Sequence, residues 1–224
     1  MPRHARFVIP GVPHHITQRG NHRGPIFFSS GDQEAYLLLL RHHATQRGIA
    51  ILAYCLMPNH VHLVATPSAP DSLFCMLRDV HGQFAMRVNR MRELSGHLWQ
   101  GRYFSSPLDA NYLVNAVRYV ELNPVRAGLV ATAELYMWSS AATHCGLKSD
   151  PVLAAVPTVG ALAGIANWSR WLAEGVSDGA IDVLRRHGTQ NLPCGSTEFL
   201  MQLEQVAGRR LDYRAWGQRT RVPD

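Results

Sequence analysis

The stretch Ile49-Ala-Ile-Leu-Ala-Tyr-Cys-Leu-Met-Pro-Asn-His-Val-His-Leu-Val-Ala-Thr66 decides the architecture of this chain. Two runs of strand composition, Ile49 to Met57 and His60 to Thr66, flank a Pro58-Asn59 turn, and so short a connection makes them antiparallel neighbours. Side chains alternate across a strand, so His60 and His62 project from one face while Val61 and Leu63 point the other way, into a core. Two such residues lie roughly 7 Å apart at their backbones, close enough for their ring nitrogens to converge on one cation at about 2.1 Å. By itself the pair is only half a metal site, because alternating histidines also occur on ordinary strands.

Towards the N-terminus, His14 to Gln18 reads as a first strand, followed by the glycine-rich turn Arg19-Gly-Asn-His-Arg-Gly24. Residues 32–47 carry Tyr36, Leu39, Leu40 and His43 at helical spacing, and residues 71–94 form a second long helix with Leu73, Leu77, Phe84 and Val88 inward. Arg78, Arg87, Arg90 and Arg92 are left outside as a solvated face. The pairs His14-His15 and His42-His43 read as strand-edge and helix-surface residues. A fourth strand lies within His97 to Pro107, and a third helix starts at an Asp109 N-cap and breaks near Asn123-Pro124, with Gly128 beyond. The order strand, helix, strand, strand, helix, strand, helix predicts an α+β fold, a ferredoxin-like or RRM-like antiparallel sheet packed with helices.

On the third helix Leu113, Val117 and Val120 make the apolar stripe, and Tyr112, Tyr119 and Asn123 make a neighbouring one. Tyr119 and Asn123 therefore point together. If their stripe faces the histidines, the amide oxygen of Asn123 supplies a third ligand and the Tyr119 phenol sits one turn away. Spacing alone leaves Tyr112 as a second candidate nucleophile.

The chain has 224 residues, 46% apolar composition and a formal charge of +6, which suits one main globular domain with an appendage. Lys148 is the only lysine, so the positive charge is arginine, whose planar fork pairs bidentately with phosphate; a GC-rich coding sequence would give the same bias. Cys55, Cys75, Cys145 and Cys194 form no C-x-x-C pair, which argues against a zinc ribbon, and Cys55 and Cys75 read as buried small hydrophobes. The N-terminus lacks a signal-peptide stretch and no apolar run spans a membrane, so the expected location is the cytoplasm, on DNA in the nucleoid, with no membrane partner.

The strings Arg19-Gly20-Asn21, Tyr54-Cys-Leu-Met-Pro-Asn-His-Val-His-Leu-Val64, Gly101-Arg-Tyr-Phe104 and Tyr119-Val-Glu-Leu-Asn-Pro-Val-Arg-Ala-Gly-Leu-Val130 resemble the single-tyrosine HUH transposases. They are most similar to the REP-associated tyrosine transposases, related to the IS200/IS605 type. The resemblance covers residues 1–145 in order. It implies Tyr119 as catalytic nucleophile in preference to Tyr112, His60, His62 and Asn123 as metal ligands, and Mg2+ or Mn2+ as cofactor. It also implies single-stranded or hairpin DNA as partner, specifically repetitive extragenic palindromes. Candidate DNA contacts are His15, Arg19, Asn21, Arg23 and Arg102. The resemblance leaves open a monomer, or a homodimer in which one protomer's Tyr119 helix serves the other's histidines.

The implied chemistry is transesterification, with a divalent cation offsetting the weakness of a neutral phenol as nucleophile. The rival reading from another class is a domesticated, non-catalytic DNA- or RNA-binding module on an RRM-like sheet. A third is a metal phosphodiesterase using activated water.

Residues 146–224 read as a basic, mainly helical C-terminal extension beginning near Lys148-Ser-Asp-Pro151, with helix candidates at 177–187 and 196–207. Its arginines, 185, 186, 209, 210, 214, 219 and 221, are interleaved near the end with Tyr213 and Trp216. Gly195-Ser-Thr-Glu-Phe199, Leu203-Glu204 and Gly208-Arg209 resemble the tail of longer family members. Two roles suit such an extension: DNA contact or self-regulation, and that of a plain stabilising appendage.

Overall fold

A computed structural model describes residues 7–154 and 160–211. Strands β1 (His14–Arg19), β2 (Ala50–Met57), β3 (His60–Thr66) and β4 (Phe104–Pro107) form one antiparallel sheet in the order β2-β3-β1-β4. With α1 (Ser30–Gln46) after β1 and α2 (Ser72–Met91) after β3, this is the ferredoxin-like interlock that the sequence pattern predicts. Helix α1 starts where the Asp32 carboxylate accepts the free N–H groups of Phe28 and Ser29, and it stops before Gly48, whose φ of +61° suits a residue without a Cβ.

One face of the sheet, carrying Ile16, Tyr54, Leu56, Val61, Leu63 and Ala65, packs on Tyr36 and Leu40 of α1 and on Leu73, Leu77, Phe84 and Val88 of α2. The opposite face, carrying Ala53, Cys55, Met57 and Val64, is covered by α3 (Ala110–Glu121) through Leu113, Val117 and Val120. A bulge between Ile51 and Ala53 turns Leu52 and Ala53 to this same side. Both faces of the sheet are therefore buried.

The C-terminal extension completes the second core. Helix α3 ends at Glu121, and the short helices α4 (Asn123–Arg126) and α5 (Ala141–His144) follow it. Helices α6 (Trp168–Ala173), α7 (Asp178–Gly188) and α8 (Thr197–Ala207) are capped by the side chains of Asn167, Ser177 and Ser196. Trp168, Leu172, Ile181, Leu184 and Cys194 join the cluster that contains Val64, Leu108 and Val117. The fully buried Glu121 carboxylate ties the extension down, accepting from Ser140 Oγ, His144 Nδ1 and, at 2.7 Å, Trp168 Nε1.

Both edges of the sheet are covered. Trp138, Ser140 and Ala154 exchange backbone hydrogen bonds with Leu56, Tyr54 and Ile51 of β2, and Cys194 donates to Pro107 of β4 at 2.8 Å.

Several expectations change. His14 and His15 lie in β1, a central strand, and are buried, so they are not edge residues. His43 is buried between α1 and α2, where Gln83 Nε2 donates to its Nε2 at 3.1 Å. Cys55 is buried but Cys75 is only half-buried, and all four cysteines are free. Arg214, Arg219, Arg221, Tyr213 and Trp216 lie outside the described residues. Among the described residues no helix is long and apolar enough to cross a membrane.

Candidate active site

Strand register sets what faces the two histidines. His60 pairs with Arg19 of β1 and Met57 of β2, and His62 with Thr17 and Cys55, all on the face that α3 covers. The His60 and His62 rings are 4.9 Å apart at their centroids. His15, two residues before Thr17 and so on the same face, lies nearly coplanar with His62, its Nε2 at 3.0 Å from His62 Nδ1. Tyr119 closes the cluster from α3, its ring edge-on to His62 at 5.7 Å and to His15 at 5.8 Å. Tyr112 sits instead near Asp109, Cys194 and Arg186. The helix thus brings Tyr119, and not Tyr112, against the histidines.

The break after α3 matters as much as the helix. Pro124 opens the short α4, whose turn carries Arg126 back over the tyrosine, and Gly128, at φ +68°, lies just past its end. Its guanidinium carbon lies 4.2 Å from the Tyr119 ring centroid, and one nitrogen donates to the Tyr119 carbonyl at 2.8 Å and to Asn123 Oδ1 at 3.0 Å. An amide oxygen has two lone pairs, so Asn123 keeps one for another partner. Asn123 Nδ2 is buried without a hydrogen-bond partner among the described residues.

Electrostatics keep the imidazoles neutral at pH 7. Burial, and then the nearby Arg19 charge, pushes the His60 pKa down to about 4. Burial likewise lowers His15 to about 4, and His62 is held well below its usual value by burial, then by His15, His60, Arg126 and Arg19. Neutral imidazoles are what a cation requires.

His60 Nδ1 donates to Asn59 Oδ1 at 2.7 Å and His62 Nδ1 is occupied by His15, so Nε2 is the nitrogen each ring has left to offer. Among the described residues no three His, Cys, Asp or Glu side chains form a metal-binding group. A cation here would rest on two imidazoles, the spare Asn123 lone pair and oxygens from phosphate or water. That donor set fits a weakly held, oxygen-completed Mg2+ or Mn2+.

Of the expected DNA contacts, Arg19, Arg23 and Arg102 are exposed and Asn21 is half-buried, its Oδ1 accepting from the His22 N–H at 3.1 Å. His15 departs from expectation: it is 2% exposed, one ring nitrogen meets His62 and the other is buried, so no ring nitrogen is open to DNA. The loop between β1 and α1 holds His22 and Arg23 at φ +51° and +59° and crosses tightly at Gly20, where a Cβ would lie 2.4 Å from the Gly24 carbonyl. It is pinned to the turn before β3: Gly20 donates to Asn59 O and Ile26 to Pro58 O, both at 2.9 Å.

Arg126 and Asn59 join this site without having been expected there, and His15 belongs to it as a partner of His62 rather than as a DNA contact. The available signals were the shared parity of His15, Thr17 and Arg19 on one strand and the three-residue helical offset from Asn123 to Arg126.

The chain resembles a REP-associated tyrosine transposase whose structure was solved bound to a REP hairpin, at 20% identity and a TM-score of 0.55, over 72% of this chain and 96% of that one. That likeness speaks to the fold. A candidate transposase from Deinococcus radiodurans matches at 20% identity over 58% of this chain and 92% of its own, with a TM-score of 0.36. No curated protein matches. The family model described as IS200-like transposase matches residues 10–123, a span that holds the histidine pair, Tyr119, Asn123 and every expected DNA contact. As that match takes in more than half of the 224 residues, the chain belongs to the IS200-like transposase family.

Proposed function

We propose that this transposase cuts and rejoins single-stranded or hairpin DNA through a 5′-phosphotyrosine on Tyr119, with repetitive extragenic palindromes as its substrates. The observation that carries the reading is the packing of the Tyr119 ring against both His62 and His15. In the reaction Tyr119 Oη attacks the scissile phosphorus and gives up its proton. The Oη–P bond forms as the P–O3′ bond breaks, and the leaving 3′ oxygen takes a proton. The reverse attack by a 3′-hydroxyl restores the phosphodiester, so no external energy source is needed.

His60, His62 and Asn123 would hold Mg2+ or Mn2+, which when bound neutralises charge on the phosphate. Arg126 fixes the tyrosine ring and the Asn123 oxygen together, so nucleophile and ligand move as one unit. Arg19, Arg23 and Arg102, all exposed, are the proposed backbone contacts. The palindrome specificity is drawn from the REP hairpin held by the structurally similar transposase. Burial of both sheet faces speaks against the rival reading of a binding module, because an RRM stacks bases on an open one.

The test is a denaturing gel of 5′- and 3′-labelled hairpin DNA with Mn2+ or Mg2+. The wild type should give a metal-dependent adduct on the 3′ fragment, and Tyr119→Phe and His60→Ala should lower its yield by at least about a thousandfold. Cleavage surviving in Tyr119→Phe without an adduct would mean hydrolysis by water instead.

A further inference from the structure

The turn residue Asn59 lies beside the histidine pair with a hydrogen bond at each end of its amide. Its Nδ2 donates to the Arg23 carbonyl at 2.9 Å, and a carbonyl can only accept. That contact fixes which end of the amide is nitrogen, so Oδ1 must be the end facing His60. Oδ1 also only accepts, so the neutral His60 ring meets it through Nδ1–H, at 2.7 Å, and carries its lone pair on Nε2.

The other half of the clamp is the strained loop. Arg23 presents its carbonyl to Asn59 from a left-handed conformation that non-glycine residues seldom adopt, directly after a second one at His22. Gly20 makes that turn possible, and the Gly20 and Ile26 bonds to Asn59 and Pro58 hold it against β3.

We infer that Asn59 is a positioning residue that locks His60 in its Nδ1–H tautomer and couples it to the backbone of the loop carrying Arg23. This inference rests on the proposed metal-assisted strand transfer for its purpose, though its direct readout does not need metal. Through Asn59, movement of the Arg23 loop on a DNA backbone reaches the ring of a proposed ligand in two hydrogen bonds.

The experiment is long-range 1H–15N correlation of the histidine rings in metal-free full-length protein, followed by Mn2+ titration. The wild type should show His60 as the Nδ1–H tautomer. Asn59→Ala should shift it towards a mixture with Nε2–H and weaken Mn2+ binding by about 10- to 100-fold, the usual loss when a ligand's hydrogen-bond partner is removed. Asn59→Asp keeps an acceptor for His60 but no donor for Arg23, so the tautomer should hold while the loop amides exchange faster with solvent. A purely structural Asn59 would make both variants behave alike. An Nε2–H tautomer in the wild type, or an unchanged tautomer in a folded Asn59→Ala, overturns the inference. If the tautomer responds as expected but the wild type binds no Mn2+, the positioning role stands and the metal reading falls.

Discussion

Burial keeps His14, His15 and His81 uncharged, and acid has to undo that. His14 and His15 are pushed down to about 4 and His81, packed under Tyr36 and Trp99, to about 3, in each case chiefly by burial. Between an ordinary value of 6.5 and these values the unfolded chain takes up protons that the folded chain refuses. Stability is thus complete above pH 6.5 and lost as pH falls towards 4, with a limiting slope of about 1.4 kcal/mol per pH unit for each group. Urea midpoints should be level above pH 7 and drop steeply below 6.5; a flat profile would show that these rings protonate without unfolding anything. At this scale the sequence was legible where periodicity alone acts, as in the shared face of His60 and His62 and the turn from Tyr119 to Asn123. It was silent on Asn59 and Arg126, whose partners depend on how a loop and a helix break fold back.

Elements begin and end here on single side chains. Asp109 starts α3 by accepting the Tyr112 N–H on Oδ1 at 2.8 Å, and its Oδ2 accepts the Ser196 N–H, also at 2.8 Å, where α8 begins. One carboxylate therefore sets the start of the helix that carries Tyr119 and anchors the start of α8 to it. Asp109→Ala should cost roughly 2 kcal/mol, a cap plus one further hydrogen bond, and Asp109→Asn less, because one acceptor remains. Urea unfolding reads both, and an Asp109→Asn variant as stable as the wild type would mean that the Ser196 contact contributes nothing. The cap was plain in the sequence, and so was the break at Pro124. The burial of His15 was not: it follows from the place of β1 between β3 and β4, paired with segments some fifty and ninety residues away, and not from any residue near it in the chain.

Across the whole molecule, residues beyond 145 form one wall of the second core. Leu184 is fully buried in it, so Leu184→Ala should destabilise the protein by about 2–5 kcal/mol, measured by calorimetry or urea. Truncation after residue 145 would bare Val64, Leu108 and Val117. The expected product aggregates or binds hydrophobic dyes, whereas a cooperative, equally stable fragment would make the extension a mere attachment. Sequence periodicity found two of the extension's helices, but nothing local to it names the surface it covers, since both partners are strands and helices laid down much earlier. That separation has a cost during synthesis. All four strands are complete at Pro107, yet the partner for the β4 edge is Cys194, so a nascent chain carries an open strand for roughly 4 to 17 s at about 5–20 residues per second. Two ribosomes on one message hold such edges within reach of each other, which makes translation speed, and chaperones that shield the emerging chain, determinants of how much of this protein a cell obtains.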